Sequence, residues 1–174
     1  MQLTGLLRLL RTDARYQTAL DSLRASRHLP DQHVLRAARP YLIAALARDL
    51  GRPVIVITAT VERAHNITEQ LPVWAPDVPA YRFAEPGALF YERSPWSPSA
   101  VRARIGALAA LCPPVGVTAA DLIDPAMPFP PVIVTSALAL MQRTLPPRDF
   151  KLGSRLIKTG QRQDPDKLLR LWLG

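Results

Sequence analysis

The chain has 174 residues, 48% of them hydrophobic, enough for one domain with a real core and a little more. Nothing in it is long and apolar enough to span a bilayer, and its single cysteine, Cys112, excludes an internal disulfide and reads as a packing residue. The net charge of +8 is uneven: residues 1–52 hold nine Lys/Arg against four acids, residues 143–174 hold eight against three, and the middle holds five against seven. A polyanion such as nucleic acid would suit the basic ends. No Lys/Arg cluster is interleaved with aromatics as a stacking groove requires, so solvated helix faces are the preferred explanation.

The opening MQLTGLLRLLRTDARY imitates a signal peptide, but Arg8 and Arg11 interrupt the apolar run and no small-residue cleavage site follows. A cytoplasmic protein is expected. Apolar residues recur at helical spacing from Leu3 to Leu10 and from Arg15 to Leu23, with Thr12 or Asp13 as the cap of the second helix. From Arg39 to Leu50 a third helix places Leu42, Ile43, Leu46 and Leu50 on one face; Pro40 suits its first turn and Gly51 stops it. The β-branched run PVIVIT, residues 53–58, reads as a strand buried on both faces, hence a parallel sheet.

A helix follows with Thr60 as N-cap, Glu62 in its first turn, and Val61, Ala64, Ile67 and Leu71 facing inward. AYRF, residues 80–83, is a candidate strand, and Pro98 to Leu111 a helix whose stripe is Val101, Ile105, Leu108 and Leu111, with Arg102 and Arg104 away from it. The proline-rich segment 113–131 reads as an irregular surface excursion. PVIVTSALALMQR, residues 131–143, repeats the strand-to-helix wording of the first unit, which implies a doubly wound α/β layer. Beyond Pro146 and Pro147 a strand near SRLIK, a turn at Thr159 and Gly160, and a helix begun by Asp164 and Pro165 and closing on Trp172 are expected.

A working phosphate-binding loop needs glycines that bare backbone N–H groups, a lysine and a Ser/Thr for magnesium. The corresponding stretch here is Arg36, Ala37, Ala38, Arg39 and Pro40, and Pro40 removes an N–H donor. Both apolar strands end in Thr/Ser rather than in an acid that would hold magnesium, and Asp121 to Asp124 lies among prolines in a loop. His28 and His33 are wrongly spaced for a metal site on one helix, His65 sits on an exposed turn, and no catalytic triad emerges. The crowded stretch around Phe90, Tyr91 and Trp96 is either a loop pinned by its aromatics or a nucleic-acid or partner contact made by Tyr91, Arg93, Arg102 and Arg104. Contact with nucleic acid would fade steeply with salt.

The order and wording of IAALARDLGRPVIVITAT, FAEPGALFYERSPWSP, RARIGALAAL, VIVTSALALMQRTLPP and LIKTGQ resemble the N-terminal region of bacterial transcription-repair coupling factors over roughly residues 30–174. In that family the region is similar to the first domains of the excision-repair protein UvrB, which carry an intact phosphate loop. The proline-rich insert 113–131 departs from the family pattern. The resemblance implies a RecA-like, P-loop-NTPase-like parallel sheet with a degenerate phosphate loop. It divides the chain into N-terminal helices (1–29), a UvrB-like domain 1 (30–145) and the truncated start of a second, UvrA-recruiting α/β domain (146–174). The implied function is non-catalytic: a scaffold for recruiting UvrA that packs on other domains of the same protein. ATP, magnesium, RNA polymerase and DNA would be bound by the full-length translocase, with no cofactor or metal here and no membrane partner. A residual nucleotide-binding domain and a nucleic-acid-binding module are the alternatives.

Overall fold

The computed structural model describes residues 3–87, 96–118, 124–157 and 159–173, except that the side chains of residues 171–173 are not described. The N-terminal helices form as the apolar spacing requires: a 3-10 turn Thr4–Leu6 runs into α1 (Leu7–Arg11), and α2 (Ala14–Arg24) follows. Asp13 caps α2, its carboxylate accepting from the N–H groups of Arg15 at 2.8 Å and Tyr16 at 3.1 Å. Both helices lean on α3 (Arg39–Leu50), and Leu7, Tyr16 and Leu20 are buried in the same core as its alanines. Tyr41 of α3 donates to the Leu6 carbonyl at 2.6 Å, and the Leu3 N–H reaches the Val73 carbonyl at 2.9 Å.

Three strands make one parallel sheet: β1 (Val54–Thr58), β2 (Ala80–Phe83) and β3 (Val132–Ser136), in the order β1-β3-β2. The β1-to-β2 crossover is α4 (Val61–Trp74) and the β2-to-β3 return is α5 (Pro98–Leu111). Because the two crossovers run in opposite directions along the sheet, a constant right-handed sense puts their helices on opposite faces. The packing agrees. Val54, Val56, Val132 and Val134 join α3 and α4, whereas Ile133 and Phe83 join Ala107 and Leu108 of α5.

Several sequence expectations are corrected. The α3 residues placed on one face, Leu42, Ile43, Leu46 and Leu50, pack against the core half-buried, but it is Ala44, Ala45 and Ala47 that lie fully inside, because small side chains let the helix approach the sheet closely. β1 is not buried on both faces: among the described residues it is an edge strand, and Ile55 and Ile57 are 56% and 61% exposed where no described helix covers them. β3, at the centre, is the strand buried throughout. The α5 stripe is also rotated. Ala100, Arg104 and Ala107 face inward, and Val101 and Ile105 face solvent.

The described part of 113–131 holds only a turn and an isolated bridge between Asp124 and Met127, as its prolines require. Residues 154–157 are not a strand; among the described residues no strand pairs with them, and an extended segment without a partner gains no ladder. A short helix, α7 (Pro147–Gly153), was not evident in the sequence and buries Phe150. It follows α6 (Ala137–Leu140), and the last helix, α8 (Pro165–Leu173), starts where Asp164 and Pro165 placed it. The expected end on Trp172 concerns a side chain outside the described set.

Candidate functional site

In a parallel sheet the strands point their carboxyl ends at one edge, and ligands of α/β folds gather there. Here that edge is polar but closed. Thr58, Thr135 and Ser136 are buried, and each hydroxyl is spent on the fold. Thr58 Oγ1 donates to the Thr60 carbonyl at 2.8 Å, and Thr135 Oγ1 to the Phe83 carbonyl at 3.1 Å. Ser136 Oγ caps α6 by accepting from the Ala139 N–H at 3.2 Å and donates to Glu85 Oε2 at 3.4 Å. Glu85 in turn pairs with Arg82. With Ser136 wholly buried, this serine–carboxylate contact is structural rather than nucleophilic.

Arg104 closes the same edge. Its Nη1 donates to the carbonyls of Ala84 at 2.9 Å and Ala139 at 3.2 Å, and its guanidinium lies 3.8 Å from the Phe83 ring centroid and 4.7 Å from that of Trp96. Burial pushes its pKa below the ordinary arginine value, and the nearby charge of Glu85 opposes that shift. Arg104 is therefore a tie between α5, the segment after β2 and α6. The expected contact patch does not assemble as drawn: Arg102 is exposed, two residues from Arg104 and on the opposite side of α5, and Tyr91 and Arg93 lie outside the described residues.

An open cleft of about 800 Å³ lies farther along, where the carboxyl half of β1 meets the first turns of α3 and α4. Arg36 to Ala38 form a 3-10 turn that passes directly into α3 at Arg39, and Pro40 is buried within that first turn. Ala38, the residue before the helix, offers no side-chain cap. The floor is aliphatic: Leu42, Ile43, Val56 and Ile67 line it. Arg36, Arg39 and Arg63 line it as well, against one acid, Glu62. Among the described residues none of these three arginine side chains makes an ion pair, the arginine pairs elsewhere being those of Arg11, Arg24, Arg48 and Arg82.

The sequence reading placed Arg36 to Pro40 at this site and missed Arg63 and Asn66, whose polar positions on the opening turns of α4 were the available signal. Nothing in the sequence marked Glu85 or the buried side of Arg104, because a charged residue off a helix's apolar stripe reads as surface. His28, His33 and His65 are all exposed, Cys112 is half-buried at the end of α5, and among the described residues no cluster of metal-ligating side chains forms. No family model matches the chain, and neither a curated protein nor a solved structure matches it.

Proposed function

We propose that this chain is a non-catalytic α/β module of RecA-like type with a decayed phosphate loop, belonging to the N-terminal region of a bacterial transcription-repair coupling factor. The observation that carries the reading is the turn from Arg36 to Pro40. A phosphate loop lays successive bare N–H groups around a polyphosphate. This turn has no glycine or lysine, winds as a 3-10 helix, and spends its last position on a buried proline without an N–H. Its residues do not fit ATP-magnesium, so no catalytic step is assigned to them. The parallel sheet and the resemblance of the ordered sequence blocks over roughly residues 30–174 support the family assignment.

In this role the module is cytoplasmic and serves as a scaffold, presenting the region that recruits UvrA and packing on the ATP-driven motor that displaces RNA polymerase from DNA. The uncovered face of β1 supports the packing function, since Ile55 and Ile57 form bare apolar surface beside a covered sheet. A nucleic-acid-binding reading is weakened by the burial of Arg104. The test is retention of a coupling-factor motor, lacking its own N-terminal domains, on beads carrying this chain. Retention that Ile55→Lys abolishes is expected; no retention by the native chain would contradict the proposal.

A further inference from the structure

We propose that the cleft between α3, α4 and β1 is a docking site for an extended polypeptide segment whose cleft-facing residues, every second one along the chain, include both acidic and aliphatic side chains. This inference stands on the cleft and does not depend on the coupling-factor assignment. The cleft has two chemistries side by side. Leu42, Ile43, Val56 and Ile67 give an aliphatic floor, which favours burial of aliphatic side chains. Arg36, Arg39 and Arg63 give a cationic wall without carboxylate partners among the described residues. Guanidinium groups take carboxylates in paired, directional hydrogen bonds.

The third feature is the strand that bounds the cleft. β1 is the sheet's edge, with β3 on one side and no described strand on the other, so half of its backbone groups remain open to a further ladder. An extended segment lying along residues 56–58 would meet those groups, and its cleft-facing side chains would set aliphatic groups on the floor and carboxylates against the arginines. The same features disfavour two other occupants. Nucleobases stack on aromatic rings, and none of the lining residues is aromatic. A free nucleotide needs a phosphate cradle, and the Arg36–Pro40 turn does not form one.

The experiment is selection of random 12-residue peptides from a display library on the full chain, followed by fluorescence anisotropy of the enriched peptides made synthetically. The expected result is a consensus with Asp/Glu and Leu, Ile or Val together at every second position. Its affinity should fall at least tenfold in an Arg36→Glu/Arg39→Glu variant and weaken with added salt. Both substitutions lie at exposed positions where α3 begins, and acidic residues suit a helix start, so the variant should fold; a matching circular dichroism spectrum checks this. No enrichment, an enriched basic or aromatic consensus, or binding unaffected by the double variant would each overturn the proposal. Stronger binding of a single-stranded oligonucleotide that the same variant abolishes would also overturn it, in favour of a nucleic-acid site.

Discussion

The two faces of the sheet are built to different degrees. On one, α3 and α4 bring Ala44, Ala45, Ala47, Ala64 and Leu71 against the valines of β1 and β3, and these residues are at most 2% exposed. On the other, α5 covers β2 and β3 but stops short of β1, leaving Ile55 and Ile57 more than half exposed. The same strand thus contributes Val54 and Val56 to a finished core and two isoleucines to open surface. Stability is concentrated on the first face. The second face and the neighbouring cleft hold the surface available for partners.

The contrast breaks most directly at Leu71. Leu71→Ala should cost about 2–5 kcal/mol in urea denaturation, because the cavity forms in a packed core. A loss below 1 kcal/mol, on the order of a surface change, would show that the α4 face is not the stable one. Next in size is Arg104→Met, expected to cost about 1–3 kcal/mol by leaving the Ala84 and Ala139 carbonyls without their donor. Arg104→Lys should recover only part of this, since an ammonium lacks the planar guanidinium that lies against the Phe83 and Trp96 rings.

Tyr16→Phe sharpens the comparison on the finished side at about 1 kcal/mol, the worth of the phenol's 2.8 Å bond to Asp49. It also carries a pH signature. Burial first, and then the bond to Asp49, raise the Tyr16 pKa well above the ordinary tyrosine value. Above about pH 10 the unfolded chain releases this proton while the folded chain keeps it, so stability falls as pH rises, by up to about 1.4 kcal/mol per unit. Denaturation midpoints between pH 9 and 11 should show a shallower decline in the phenylalanine variant. Smallest of all, Ile55→Thr should change stability by no more than about 0.5 kcal/mol, because its side chain already faces water.

How much of this was legible in the sequence depends on what each residue's position required. Strands and helix ends were readable because the signals are local: the VIVIT and VIVTS runs, the caps Asp13 and Thr60, and Gly51, whose φ of 64° suits a glycine at a helix end. Facing was less readable. Hydrophobicity favoured Leu42 and Ile105 over Ala44 and Ala107, yet close helix–sheet contact selects the small residues. Similar β-branched wording in β1 and β3 could not reveal which strand lies at the edge, because strand order is set by crossovers rather than by strand composition. The cleft was half visible through Arg36 to Pro40; Arg63 joins it only because α4 starts beside α3.

The most direct test of the account is the thermal midpoint of the chain with and without millimolar Mg-ATP, since a ligand that binds only the folded state must raise it. The proposed decay of the phosphate loop predicts no shift. A clear rise in midpoint that Arg39→Glu abolishes would mean that the cleft still holds a nucleotide, and would contradict the reading of this chain as a non-catalytic module.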